Sequence, residues 1–200
     1  MSMLLDVLHR AVAVGWVYEC SQILVGAPLF RRRLAPLVAE CRAGDRILDV
    51  GGGTGFLEKL VSPSCTYLCL DLELPKLRHY TVNNLGANAL QADATQMPIH
   101  TGSIDLVTCI AMTHHLPDPQ FAQMLEESAR VLRPGGRFIL LDAVLAPRRV
   151  PGRLLWSIDR GAYPKTADNL RAALASRFEV GRWDRFAIYH SYVLGVGTRM

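Results

Sequence analysis

The sequence predicts an α/β fold: a mostly parallel sheet with helices on both faces and one antiparallel strand near an edge. Three observations carry that expectation. Short buried apolar runs alternate with stretches of helical periodicity, the order that joins parallel strands through crossover helices. The first run, Arg46-Ile47-Leu48-Asp49-Val50, passes directly into Gly51-Gly52-Gly53-Thr54-Gly55. Such a turn suits a place where a ligand approaches bare backbone, because glycine permits positive φ and carries no Cβ. The last two runs, Phe178 to Ile188 and Tyr192 to Thr198, are separated by too few residues for a helix, so an antiparallel strand is expected there.

From the amino end, residues from about Leu4 to Cys41 read as helices broken near Gly26-Ala27-Pro28. Arg46 to Val50 is the first strand, and Phe56 to Val61 is expected to open a helix. Thr66 to Asp71 is the second buried strand. Pro75 sits at a helix start, where its missing N–H is no loss. Ala89 to Ala92 is a third strand that ends at Asp93, and Ile104 to Ile110 is the fourth. Pro119 to Leu132 has apolar residues at helical spacing, and Arg133-Pro134-Gly135-Gly136 should stop that helix sharply. Arg137 to Asp142 is the fifth strand and Thr166 to Ser176 a further helix.

Two hundred residues suit a single domain (1–200) with a substantial core, divided into a helical segment (1–42) and the sheet-bearing core (43–200). Half the residues are hydrophobic and a fifth are charged, which argues against disorder. A net charge of +4 without a dense Lys/Arg stripe excludes a nucleic-acid partner as the leading reading. Arg31-Arg32-Arg33 and Arg148-Arg149 read as solvated ends. Cys20, Cys41, Cys65, Cys69 and Cys109 form no CxxC pair and no His/Cys set, so no metal site is expected. Their odd count and the lack of a secretion signal point to reduced thiols in the cytoplasm. The apolar stretch Ala11 to Leu29 is interrupted by Glu19, Ser21 and Gln22, which suits a buried or groove-lining helix better than a spanning one. That leaves room for peripheral membrane contact but no integral segment; the oligomeric state is not specified.

The glycine run excludes two common ligands. A Gly-x-Gly-x-x-Gly dinucleotide turn fails, because its last position falls on Phe56 or Glu58. A phosphate loop fails, because Gly55-Phe56-Leu57 lacks the Lys-Ser/Thr ending. What remains is Asp49-x-Gly51-x-Gly53-x-Gly55, in which a carboxylate beside the glycines repels phosphate and suits an amine-bearing ligand. An ordinary glycine-rich turn is the plain alternative.

This stretch resembles motif I of the class I S-adenosylmethionine-dependent methyltransferases, and the resemblance runs from about Arg46 to the C-terminus. It is strongest for the small-molecule group that includes the ubiquinone and menaquinone methyltransferases. The resemblance implies a Rossmann-like, seven-stranded sheet with an N-terminal helical lid, and S-adenosylmethionine as cofactor, leaving as S-adenosylhomocysteine. Asp49 would hold the methionine amino end, with Gly51, Gly52 and Gly53 beside the cofactor. Asp71 stands roughly 20 residues past the glycines, the spacing at which an acid meets ribose hydroxyls; Glu73 is its rival and a helix N-cap its plain alternative. Asp93 and Ala94 match the positions that meet the adenine edge, although an Asx-turn also explains Asp93. Leu72 would lie along the adenine, and Cys109 and Ile110 where backbone passes the methionine part. The turn at Leu132-Arg133-Pro134-Gly135-Gly136 is a further, purely structural match.

Methyl transfer from a sulfonium asks chiefly for positioning, and needs a base only for an acceptor of high pKa. His114 is the first choice for such a base, and His115 occupies a position where packing also explains a histidine. Tyr18, Gln22, His115, Trp156 and Tyr163 are candidates for a substrate pocket, with Asp159-Arg160 as an accompanying pair. The expected reaction is methyl transfer to a small, apolar metabolite on oxygen, nitrogen or carbon. The alternatives are a cyclisation or decarboxylation that uses the bound cofactor without methyl loss, and a non-catalytic partner subunit.

Overall fold

The computed structural model describes residues 27–145, 163–188 and 190–200. Tyr18, Gln22, Trp156 and the Asp159-Arg160 pair lie outside the described residues, as do the residues before 27 that the sequence predicts to be helical.

A seven-stranded sheet forms the centre. Its strands are β1 (Arg46–Val50), β2 (Thr66–Asp71), β3 (Asn88–Gln91), β4 (Ile104–Ile110), β5 (Leu132–Val144), β6 (Phe178–Ala187) and β7 (Ser191–Arg199). They run in the spatial order β3-β2-β1-β4-β5-β7-β6. The pairs β1–β2, β2–β3, β1–β4 and β4–β5 are parallel, whereas β7 runs antiparallel to both β5 and β6. β7 is therefore the one reversed strand, next to the edge as the sequence predicted. The strand order reverses between β1 and β4. In an open sheet of this kind ligands bind in the crevice beyond the carboxyl ends at that point.

The described helices are α1 (Ala27–Val38), α2 (Leu74–Asn83), α3 (Asp118–Val131) and α4 (Ala167–Ala175). Alternation along each strand sends neighbours to opposite faces. Leu48 and Val50 of β1, Val107 and Cys109 of β4, and Phe138 and Leu140 of β5 join one core with Phe121, Met124 and Leu125 of α3 and Leu170 and Leu174 of α4. Ile47, Leu106, Ile139 and Leu141 join the other, with Phe30, Leu34 and Leu37 of α1 and Leu77 and Tyr80 of α2. Burial on both faces explains why the central parallel strands β1, β2 and β4 are mostly apolar, whereas β3 at the edge is largely exposed. Thr166 caps α4, accepting the Asn169 amide at 3.1 Å, and Pro75 occupies the first turn of α2.

Two local expectations are corrected. The helix expected over Phe56 to Val61 shrinks to a 3-10 turn, Glu58–Leu60. Pro63 explains this, since the residue before a proline is pushed away from helical backbone. The turn expected at Arg133-Pro134-Gly135-Gly136 lies inside β5 instead of ahead of it. Pairing jumps from Ile104↔Leu132 to Leu106↔Arg137, so these four residues form a bulge, with Gly135 at φ 74°.

Candidate functional site

The carboxyl ends of β1, β2, β4 and β5 carry two polar clusters, one beneath the glycine turn and one on the opposite face of the sheet. Gly51, Gly53 and Gly55 have φ of 70°, 56° and 76°, the left-handed backbone that side chains disfavour. Protein atoms also crowd two of them. A Cβ on Gly51 would lie 2.5 Å from Met112 Cγ, and one on Gly55 would lie 2.3 Å from the Tyr80 ring. Gly52 has ordinary φ, but a Cβ there would meet Asp49 Oδ2 and Cys69 Sγ, each at 2.8 Å. The turn is thus packed from below by the protein's own side chains, a requirement beyond the positive φ and the ligand approach expected of these glycines.

Asp49 lies on the face of α1 and α2, and is only 2% exposed. The Tyr67 hydroxyl donates to its Oδ2 at 2.7 Å, and the Thr108 hydroxyl to its Oδ1 at 2.7 Å. Burial pushes its carboxyl up to about 6, against the two hydroxyl donors, which pull it down, and with the nearby Asp71 adding to the rise. Asp71 is also buried. Its Oδ2 accepts the Gly53 amide at 3.0 Å and its Oδ1 the Glu73 amide at 2.8 Å. A carboxylate offers about four acceptor directions, so each of these acids has some left over. Leu72, directly after Asp71, is 66% exposed.

Asp93 is exposed, and its Oδ1 accepts both the amide and the hydroxyl of Thr95 at 2.8 Å. That is an Asx-turn, the plain alternative named for it, and it leaves Oδ2 for another partner. Ala94 is buried beside it. Ile110 closes β4. Ala111 follows at φ 51°, the one described residue other than glycine with positive φ. That kink reverses the chain after β4 and folds the 3-10 turn Thr113–His115 back over the end of β5.

A further acid, not among the residues expected at the site, stands there. Asp142, fully buried, accepts three hydrogen bonds and shares a fourth with His114. Thr113 donates its amide and its hydroxyl to Oδ2 at 2.7 and 2.6 Å. The Ala143 amide reaches Oδ1 at 2.7 Å, and His114 Nδ1 lies 2.6 Å from the same oxygen. Burial would raise this carboxyl, but His114 and the Thr113 donors outweigh it and hold it below the ordinary carboxylate value. His114 is itself buried, and the His115 ring, exposed, leans on it with centroids 4.3 Å apart. The Tyr163 amide donates to the His114 carbonyl at 2.9 Å, with the Tyr163 ring half-exposed. Lys165, buried, donates to the carbonyls of Leu116 and Tyr163 and lies 3.1 Å from Asp118 Oδ1, over the Phe121 ring. His114, His115 and Tyr163 are therefore together, on the face of the sheet opposite Asp49. A signal for Asp142 did exist: it ends the strand expected over Arg137 to Asp142 as Asp71 ends β2, although β5 itself runs on to Val144.

Two open surface clefts lie elsewhere. One, of about 490 Å³, sits at the amino ends of β1 and β4, where Arg133 and Arg137 pair with Asp105 and Glu40. The other, of about 530 Å³, runs along the β3 edge. Neither contains the glycine turn.

Residues 48–140 match the methyltransferase domain family. The core of this chain belongs to the class I S-adenosylmethionine-dependent methyltransferases. An uncharacterized methyltransferase of Bacillus subtilis, YcgJ, is 34% identical over 110 residues, covering 52% of this chain and 43% of that protein. The ubiquinone/menaquinone biosynthesis C-methyltransferase UbiE of Pseudomonas fluorescens is 30% identical over 149 residues, covering 68% of this chain and 56% of that one. The chain thus spans about half the length of these curated relatives. Among solved structures, a chain of the complex between the Haloferax volcanii Trm112 methyltransferase activator and a methyltransferase aligns with a TM-score of 0.77. It is 18% identical and covers 94% of this chain and 96% of that one, a likeness of fold.

The cofactor of this methyltransferase family is S-adenosylmethionine, and the local chemistry fits it. Two buried carboxylates, Asp49 and Asp71, stand under the glycine turn. They disfavour a phosphate and suit a cationic amine and a diol. Among the described residues, no group of three or more His, Cys, Asp or Glu side chains is placed to hold a metal ion. No helix among them is long and apolar enough to cross a membrane.

Proposed function

We propose that this chain transfers a methyl group from S-adenosylmethionine to a small, apolar acceptor. The observation that carries the reading is the Asp71–Gly53 hydrogen bond at the β1/β4 switch point, which ties a buried acid to the turn that would face the cofactor. Bound there, the cofactor supplies an electrophilic methyl group on a sulfonium. Asp71 accepts the ribose hydroxyls on its remaining lone pairs, and Asp49 receives the amino end past Gly51 and Gly52. Asp93 Oδ2 and the Ala94 amide meet the adenine edge, with Leu72 against its face and Ile110 beside the methionine part. The exposure of Leu72 supports that placement, because an apolar side chain at a strand end gains from being covered.

On the acceptor side, His114 is the proton-handling group, with His115 and Tyr163 lining the entrance. The chain's own contribution is position and the exclusion of water, the terms that dominate a displacement with a good leaving group. An apolar acceptor is favoured by the hydrophobic character of the sequence before residue 30, and the small-molecule relatives lean the same way. The four free cysteines among the described residues favour a cytoplasmic location.

The test uses purified protein, methyl-labelled S-adenosylmethionine and a small-molecule metabolite extract. Label should move into a small molecule, with S-adenosylhomocysteine formed in equal amount. Label on RNA or protein would overturn the substrate class. Turnover of an added substrate without S-adenosylhomocysteine would instead favour use of the cofactor without methyl loss.

A further inference from the structure

We propose, resting on the methyl-transfer reading above, that Arg33 binds an anionic group at the far end of the acceptor, so that the acceptor is an apolar molecule ending in a carboxylate or similar small anion.

The run Arg31-Arg32-Arg33 was expected to be solvated, and two of its members instead lie on aromatic rings. The Arg31 guanidinium stands 5.0 Å from the centroid of Phe56, just past the glycine turn. The Arg33 guanidinium stands 4.0 Å from the centroid of Phe186, toward the opposite edge of the sheet. No carboxylate of a described residue pairs with Arg33, and Asp184 and Asp168 at this edge are committed to Arg182 and Arg185. Arg33 Nε is buried and has no hydrogen-bond acceptor. Buried donors are nearly always satisfied, so a cationic donor left over in this way calls for an acceptor. Stacking on Phe186 fixes the guanidinium plane without using its N–H groups, the arrangement in which arginine recognises a planar anion through two bonds.

The surroundings say what the anion is attached to. On the α1 face of the sheet, Ile110, Ala143, Tyr192 and Phe186 form an apolar row across the ends of β4, β5, β7 and β6. Tyr192 stacks on Phe186 with centroids 5.4 Å apart, and Phe30 of α1 meets both rings edge-on. The row begins at Ile110, beside the methionine part of the cofactor in the reading above, and ends under Arg33. Phe186 and Ile188 are partly exposed, so the Arg33 end is not sealed. From β4 to β6 is three strand spacings, about 14 Å at about 4.8 Å each. From β1, where Asp49 stands, it is four, so a cofactor held on Asp49 and Asp71 does not reach Arg33. An acceptor presenting its reacting atom near β4 and lying along the row brings its far end to the arginine.

Binding separates the anion from the apolar body. Decanoate, whose extended chain is about as long as the row, and decanol are each titrated into protein saturated with S-adenosylhomocysteine. Wild type should bind decanoate about tenfold or more tightly than decanol, the worth of a hydrogen bond to a charged group. Arg33→Met should erase that preference and Arg33→Lys should restore part of it, with S-adenosylhomocysteine affinity unchanged in both. Arg32→Met, at an exposed position, should keep the full preference. If Arg33→Met fails to fold, Phe186→Leu, which removes the ring that orients the guanidinium, should weaken the preference in its place. Equal binding of the two probes to wild type, or an undiminished preference in folded Arg33→Met, overturns the proposal.

Turnover gives a second readout. With methyl-labelled S-adenosylmethionine and a metabolite extract, the labelled product should be retained on an anion-exchange column at pH 8. A labelled product that passes through uncharged overturns the proposal and leaves methyl transfer standing. No label in any small molecule overturns both. Arg33-dependent sedimentation with phosphatidylglycerol vesicles but not phosphatidylcholine vesicles, together with equal binding of decanoate and decanol, would assign the cation to a lipid surface and overturn it as well.

Discussion

The Tyr67 hydroxyl donates to Asp49 Oδ2 at 2.7 Å, beneath the glycine turn and out of contact with solvent. The bond joins neighbouring strands, β2 and β1, and it pulls the carboxyl of the acid nearest the glycines down against the larger rise that burial causes. In Tyr67→Phe the carboxylate keeps only the Thr108 donor. At pH 7.5 the variant should be less stable by about 1.5–3 kcal/mol, the range for a hydrogen bond to a charged group. Urea unfolding measures it. The difference should shrink below pH 6, since a protonated Asp49 demands less of its neighbours.

Asp49 also gives the wild-type protein a defined pH response. Its carboxyl is raised to about 6 in the fold, above its ordinary 3.8, so the folded state holds the proton more tightly than the unfolded chain. Its contribution to stability is therefore fully present below pH 3.8 and is lost as pH rises through 6. The cofactor should respond in the opposite sense. A cationic amino group beside Asp49 favours the ionised acid, so affinity for S-adenosylhomocysteine should fall as pH drops below 6. Isothermal titration at pH 5 and pH 7.5 measures that slope, and the slope should vanish in Asp49→Asn.

Glycine positions separate backbone strain from crowding. Gly44 and Gly55 both have positive φ, 88° and 76°, but nothing lies within 4 Å of a Cβ on Gly44, whereas one on Gly55 would strike the Tyr80 ring. Gly44→Ala should lose about 1 kcal/mol from the backbone alone. Gly55→Ala should lose about 1–3 kcal/mol more from overpacking, because Tyr80 is fixed by its bond to Glu58. Thermal unfolding of the two variants compares them directly.

Ala111 is the reverse case, an alanine at φ 51° where glycine would be unstrained. Ala111→Gly should raise stability by up to about 1 kcal/mol. The same change should loosen the turn that presents His114, so methyl transfer should slow although the fold is stronger. A variant that gained stability and kept full activity would show that the kink does not position His114.

Much of this arrangement was legible in the sequence because β2 and β4 are apolar runs ended by informative residues. Thr66–Asp71 and Ile104–Ile110 lie where the pattern placed them, since burial on both faces keeps them mostly apolar, and the buried polar residues among them, such as Thr108, are hydrogen-bonded. The fifth strand was harder: Pro134 and two glycines look like a stop, yet a bulge absorbs them without ending the pairing. The glycine turn was read as open to a ligand, but Met112 and Tyr80 come from 61 and 25 residues further along, beyond any local pattern. The Asp142–His114 contact spans 28 residues and depends on the kink at Ala111, which no residue type announces. Acids at strand ends were legible as a class. Which of them face a ligand and which hold a side chain is decided only by packing.

The central claim is that the acids under the glycine turn hold S-adenosylmethionine, and Asp71 is its most exacting point. Isothermal titration of S-adenosylhomocysteine into wild type and Asp71→Ala, each checked for folding by circular dichroism, measures it most directly. The account predicts saturable binding to wild type and a loss of about 1–3 kcal/mol in the variant, the worth of hydrogen bonds to a buried carboxylate. Equal affinity in a folded Asp71→Ala protein would contradict it.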